Sequence, residues 1–225
     1  MHKSALAVSA INDVSIVINE GEFLCIVGHT GSGKSTFIQH LNGLLLPTSG
    51  SVMVDGCDML DKKQRQIGRR LVGMVFQYPE HQLFEETVYK DVAFGPVNMG
   101  LSEAEVKERV MNALSIVGLD ADKFCGKSPF ELSGGEKRRV ALAGIIAMHP
   151  KYLVLDEPMA GLDPSGRNAI LDTLLELQRA NNTCIIMVSH SMDDIARVAT
   201  RVAIFSKGAL RTVGTPAEVF SDVGE

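Results

Sequence analysis

Between Gly28 and Ser35 the chain reads GHTGSGKS, a spacing of glycines, one lysine and one hydroxyl that suits the gripping of a polyphosphate. Gly31 and Gly33 let backbone amides converge on phosphate oxygens, and a helix starting behind them adds its positive dipole end. Lys34 then reaches the β and γ phosphates, and the Ser35 hydroxyl supplies a ligand for Mg²⁺. The nucleotide-binding set is therefore Gly28, His29, Thr30, Gly31, Ser32, Gly33, Lys34, Ser35 and Thr36. Farther along, YLVLDEP closes an apolar run on two adjacent carboxylates. Neighbouring side chains of a strand point to opposite faces, so Asp156 and Glu157 are expected to divide the work. Asp156 holds the Mg²⁺ shell and Glu157 polarises an attacking water. Taken alone, such a pair reads equally well as a surface turn after a strand; the phosphate loop tips the reading toward chemistry.

A second glycine pair follows Phe130 in FELSGGEKRRVAL. Ser133 and Glu136 have the spacing of a capping box, which satisfies a helix start without help from glycine. Gly134 and Gly135 each weaken that start by up to about 1 kcal/mol relative to alanine. Their use is expected to lie in letting something approach the backbone, and free amides at a helix start suit a terminal phosphate.

Elements must carry these residues to one place. FLCIV (23–27), LVGMVF (71–76), YLVLD (152–156) and CIIMV (184–188) read as buried strands of a mainly parallel sheet, with helical periodicity filling much of the space between them. That alternation points to a layered α/β fold. Residues 78–139 differ, carrying helices without strand signals. Ser102 and Glu105 open a helix there with Val106, Val110, Leu114 and Val117 on one face and Gly118 as its stop. This stretch reads as an inserted helical lobe, with 1–77 and 140–225 as the core. VAIFSKGALRTVG reads as a hairpin turning at Lys207 and Gly208.

Composition narrows the setting. The chain has 225 residues, 45% apolar and 22% charged, with a formal net charge of −5, which argues mildly against a life on nucleic acid. Cys25, Cys57, Cys125 and Cys184 lack the short paired spacing of a zinc or redox site and read as free thiols of a reducing compartment. No apolar run is long enough to cross a bilayer. A cytoplasmic, soluble chain that meets a membrane through a partner is expected.

In order, the chain carries the phosphate loop, Gln77 in VFQYPEHQ, LSGGE, LVLDEP, AGLD with Asp163, and His190 in VSHSMDD. This series resembles the ATP-binding cassette (ABC) family, whose signature motif usually ends in glutamine where this chain has Glu136. The resemblance implies a P-loop NTPase with a RecA-like core, a helical lobe, and ATP and Mg²⁺ as ligands. It also implies a second cassette subunit, like or unlike this chain, meeting it head to tail so that each signature closes on the partner's ATP. Gln77 would then sense Mg²⁺ and the attacking water. Ser133 and Gly135, with Gly134 between them, would contact the γ-phosphate in trans. Asp163 would couple the two sites, and His190 would touch the γ-phosphate and orient Glu157. Without the resemblance, His190 reads as a satisfied histidine at a strand end.

The stretches VFQYPEHQLFEETVYKDVAFGP and SPFELSGGEKRRVA are similar to the ATPase subunits of energy-coupling-factor transporters, importers of vitamins or transition-metal ions. This implies a transmembrane coupling subunit and a membrane substrate-binding subunit as partners. Gln82, Leu83 and Phe84 are placed to form a groove for the coupling subunit, though packing inside the lobe accounts for Leu83 and Phe84 as well. Two departures stand out: no aromatic residue precedes Phe23 to stack on adenine, and the chain ends at VFSDVGE. Both fit a chain truncated at its two ends. One alternative is a cassette ATPase acting on nucleic acid, although the basic surfaces or long coiled-coil insertions it calls for are not apparent. Another is a nucleotide-binding module with little turnover.

Overall fold

The computed structural model describes residues 10–221. The expectations about what precedes and follows the chain's ends lie outside these residues. Among the described residues the main sheet has six strands in the order β4(Val72–Val75)-β5(Tyr152–Asp156)-β6(Cys184–Val188)-β1(Phe23–Val27)-β7(Arg201–Ser206)-β8(Ala209–Gly214). Pairing is parallel from β4 through β7 and antiparallel between β7 and β8. A small ribbon, β2(Met53–Val54) with β3(Cys57–Asp58), stands apart from it.

The helices are α1(Lys34–Leu41), α2(Lys62–Leu71), α3(Val88–Asn98), α4(Glu103–Ile116), α5(Ala121–Phe124), α6(Gly134–Ile146), α7(Pro164–Asn181), α8(Met192–Val198) and α9(Pro216–Ser221). Helices α3, α4 and α6 pack on one another between β4 and β5 in sequence, and α6 extends across residue 139.

Strand alternation builds two cores. On β1, Phe23, Cys25 and Val27 face one way and join residues of α3, α4, α6 and α7. Leu24 and Ile26 face the other way, toward Phe37 and Ile38 of α1. A sheet covered on both sides has no polar face, which is why β1, β4 and β6 are buried at every position.

Several expected elements take different bounds. The strand expected over 71–76 is shorter, because Leu71 is the last residue of α2 and Phe76 has already left the sheet. The helix behind the phosphate loop, expected over STFIQHLNGLL (35–45), stops at Leu41, where Gly43, at φ 69°, supplies a left-handed exit. The hairpin turns where expected, with Lys207 and Gly208 both left-handed at φ 50° and 77°. The four cysteines are free.

The phosphate loop rests on an aromatic pair, Phe37 of α1 against Phe205 of β7, with ring centroids 5.0 Å apart. Both rings are buried in the core on the α1 side of the sheet. Phe205→Ala is expected to cost about 3–5 kcal/mol of stability, read as a fall in the urea midpoint. A loss below about 1 kcal/mol would show that the pair does not support the loop.

Candidate active site

The parallel strands end on one edge, and each ending delivers a different group. Gln77 lies just past β4, Asp156 closes β5 with Glu157 next, His190 follows β6, and Gly28 follows β1. Residues far apart in sequence thus meet at the carboxyl ends of adjacent strands, where open α/β sheets bind ligands.

The loop after β1 is held open for a ligand by its backbone. Gly33, at φ 99°, is the N-cap of α1, and a Cβ there would lie 2.6 Å from the carbonyl oxygen of Ala10. Helices α2 through α8 each have a side chain capping the N-terminus, but α1 has none. Its first amides therefore point their donors outward without an internal acceptor.

Lys34, only 5% exposed, donates to the carbonyls of Gly28 at 2.7 Å and His29 at 3.1 Å. Burial pulls its ammonium below the usual lysine range, against the opposing pull of Glu157 and Asp156. Ser32, expected among the nucleotide-binding residues, is instead fully buried, its amide donating to the His29 carbonyl at 3.1 Å and its carbonyl accepting from the Gly208 amide at 3.0 Å, so it shapes the loop from beneath. His29 and Thr30 are exposed, and Thr36 uses its carbonyl to accept from His40 Nδ1 at 2.7 Å.

The two carboxylates have separate partners. Asp156 is 9% exposed and lies beside the Ser35 hydroxyl. Burial raises its pKa above the usual aspartate value and neighbouring Glu157 adds to the rise, while Ser35, Lys34 and His190 oppose it. Glu157 is where the alternation argument needs correcting. It is not a strand residue: its φ is 48°, left-handed, and its amide donates to the carbonyl of Val188 at 3.2 Å. That turn, rare for a residue with a side chain, aims the carboxylate at the site. Glu157 Oε1 lies 2.9 Å from His190 Nε2, and Oε2 accepts from Gln77 Nε2 at 3.2 Å.

The family model for the ABC transporter matches residues 11–160. The chain belongs to the ABC transporter family. Within it, the cassette sits in the branch of energy-coupling factor ATP-binding proteins. It is 54% identical to the energy-coupling factor transporter ATP-binding protein EcfA2 of Clostridium tetani, over 99% of this chain and 78% of that relative. Against the protein of the same name from Symbiobacterium thermophilum the identity is 57%, over 94% of this chain and 73% of the relative. Among solved structures, cbiO1 from Clostridium perfringens, part of the ABC transporter complex cbiONQ, superposes with a TM-score of 0.86 at 40% identity, over 95% of this chain and 85% of that one. A dimeric ATP-binding cassette in a post-hydrolysis state, bound to ADP and Pi, gives 0.83 at 28% identity, over 96% and 94%.

Not all the expected site residues of this ABC cassette meet. Gln77, Lys34, Ser35, Asp156, Glu157 and His190 converge, as above. Ser133 opens α6 with both bonds of its capping box formed. Among the described residues no hydrogen bond joins 133–135 to the loop 28–36. A Cβ on Gly134 or Gly135 would meet nothing within 4 Å. Asp163 is exposed and caps α7, its Oδ1 accepting from the Gly166 amide at 3.0 Å.

Two of the ion pairs that the sequence reading did not anticipate bear on the site. Arg167 of α7 donates to buried Asp194 of α8 at 3.0 Å, tying the helix after Asp163 to the helix after His190. Arg138 grips Glu80 bidentately, Nε to Oε2 at 3.1 Å and Nη2 to Oε1 at 2.9 Å. The signal for it was a charge at helical spacing from Leu142 and Ile146, on the buried face of α6.

Burial alone would raise the Glu80 carboxyl, but the bonds and charge of Arg138 outweigh it and hold the pKa below 4.5. A depressed carboxylate adds stability that is complete above its unfolded value and lost as pH falls through its folded one. Glu80→Gln is therefore expected to lower stability by about 1.5–3 kcal/mol at neutral pH. The gap to the parent should close in acid, followed by urea unfolding across pH. A gap that widens on acidification would contradict the pairing.

Proposed function

We propose that this cassette hydrolyses ATP between two subunits and so drives an energy-coupling-factor importer, moving vitamins or transition-metal ions through membrane partners. The observation that carries the reading is the Glu157 carboxylate, suspended between His190 and Gln77 beside the lysine loop. A carboxylate acceptor held from both sides can orient a water on the γ-phosphate and take its proton, while His190 fixes its direction. Lys34, poorly solvated as a cation, gains a polyanionic partner when triphosphate lies in the loop, and the uncapped amides of α1 add to the grip.

Asp156 and Ser35 fit Mg²⁺. They set a hydroxyl beside a buried carboxylate, two neighbouring oxygen ligands, and Gln77 adds an amide oxygen nearby. Few protein ligands plus substrate phosphates is the arrangement this small, hard cation takes. When bound, it would neutralise charge on the β and γ phosphates.

Ser133, Gly134 and Gly135 close the site of the second cassette in this reading, and Asp163 links the two. Support comes from the exposed, unobstructed glycines, the absence of hydrogen bonds from 133–135 to the loop 28–36, and a solved relative that is a dimer bound to ADP and Pi. The membrane coupling subunit docks on the surface after Gln77. There Phe84 is 57% exposed and meets Phe94 edge-on, with centroids 4.9 Å apart. Asp91 holds that loop through the Glu85 amide at 3.0 Å. Leu83 turns inward to the core and leaves the groove to Gln82 and Phe84. Among the described residues no helix is long and apolar enough to cross a membrane. The cassette then works peripherally, at the cytoplasmic face, with helices α3 to α6 as the lobe that moves.

Glu157→Gln should keep ATP binding while turnover falls about 10²- to 10⁴-fold, with ATP now holding the cassettes together in gel filtration. Turnover near the parent's would remove Glu157 from the mechanism. In a preparation where gel filtration shows two copies of this chain paired, mixing a Lys34→Ala cassette with a Ser133→Arg cassette, each inactive alone, should recover hydrolysis through one intact composite site. No recovery would count against the shared site.

A further inference from the structure

Arg138 is a cation on the buried face of α6, only 4% exposed, and its guanidinium spends its donors on two separate stretches of chain. Nε and Nη2 hold the Glu80 carboxylate, at 3.1 and 2.9 Å. Nη1 donates to the carbonyls of Pro158 at 3.3 Å and Ala160 at 2.6 Å. The guanidinium carbon also stands 6.0 Å from the centre of the Tyr78 ring. Tyr78 directly follows Gln77, in a left-handed conformation at φ 57°. Pro158 directly follows Glu157. One side chain thus meets the residues just behind both partners of the Gln77–Glu157 hydrogen bond, the Tyr78 ring on one side and the Pro158 carbonyl on the other, and it does so from the helix that Ser133 opens.

We propose that Arg138 is a positioning residue that links the engagement of Ser133–Gly135 to the alignment of Glu157. The link rests on the reading that 133–135 cover the partner's ATP. It gives that contact a consequence inside this chain. Residues 133–135 touch one nucleotide and Glu157 acts on the other, so Arg138 lets the occupancy of one site set the readiness of the second.

Ser133 and Arg138 lie a little over one helical turn apart, a span across which a capped helix moves as a rigid piece. The fork geometry is what the task needs. A guanidinium serves a carboxylate through two nitrogens and two carbonyls through a third, whereas a lysine ammonium offers a single point of attachment. Arg138 therefore acts through the Pro158 and Ala160 carbonyls that follow Glu157, and through the Tyr78 ring and Glu80 carboxylate that follow Gln77, and does not itself reach the reacting atoms.

The test uses the assembled dimer of full-length chains carrying Arg138→Lys. A second variant combines Arg138→Met with Glu80→Gln, so that no unpaired carboxylate is left buried. The expected result is a fall in kcat of about 10- to 100-fold, the scale of a small misplacement of a catalytic group. ATP affinity measured by equilibrium binding should stay within about twofold, and the loss of kcat should be complete at temperatures where each variant, though less stable than the parent, is still fully folded. Ser133→Ala should slow turnover in the parent both by losing its own phosphate contact and through this connection, and less than additively in the Arg138→Lys background, where only the first loss remains. Additive effects, or a loss of kcat that tracks a lower melting temperature, would overturn the proposal and leave Arg138 a purely structural ion pair. If Ser133→Ala alone leaves turnover untouched, the shared-site reading falls and the route between nucleotides falls with it. Additivity with an active Ser133 effect would remove only the role of Arg138.

Discussion

Parallel pairing of β4, β5, β6 and β1 is the constraint on which everything else hangs. A parallel sheet needs a crossover after every strand, so each strand ends on the same edge and each must be followed by a loop there. The chain places a chemically distinct group in each of those loops. Registry between strands then sets how far apart the groups lie: Leu155 stands beside Val75 and Asp156 beside Val188. Sliding a strand by one residue would exchange its buried faces, so the two cores that clamp the sheet also hold the site in register.

On that edge the electrostatics are a balance of groups that burial would prefer to neutralise. Asp156 and Lys34 are each pushed by burial toward the uncharged form, and each is partly rescued by an opposite charge. Such a cluster is poised for a ligand that brings its own charges, as a nucleotide polyphosphate with a divalent cation does. Glu157 leaves the strand in a left-handed turn, which separates its work from that of Asp156. The strain of that turn is supported by the Val188 carbonyl and by the contacts of Pro158 and Ala160 with Arg138.

Helix α6 relates the edge to the rest of the molecule. Its first turn is capped by its own Ser133 and Glu136 and left sterically open at two glycines, whereas its later turns are buried among α3 and α4. One end is exposed and sterically open, and the other is anchored within the chain. The buried cation between those ends is unusual enough to require partners, and it finds them in the two loops that position Glu157.

Short-range chemistry was readable from the chain alone. The loop 28–36, the capping boxes at Ser102 and Ser133, the four buried strands and the turn at Lys207 each depend on residues within a few positions of one another, and local sterics and hydrogen bonding decide them. What tertiary structure decided was everything that spans the sheet. Strand order brought Gln77 and His190 to the same carboxylate. The left-handed turn at Glu157 is stabilised by a carbonyl from the neighbouring strand, so strand periodicity assigned its direction by the wrong rule. The inward turn of Leu83 beside an exposed Phe84, and the embrace of Glu80 by Arg138, likewise arise from contacts between segments distant in sequence. Local propensity carries no information about such meetings, because their energy exists only once the sheet has closed the distance.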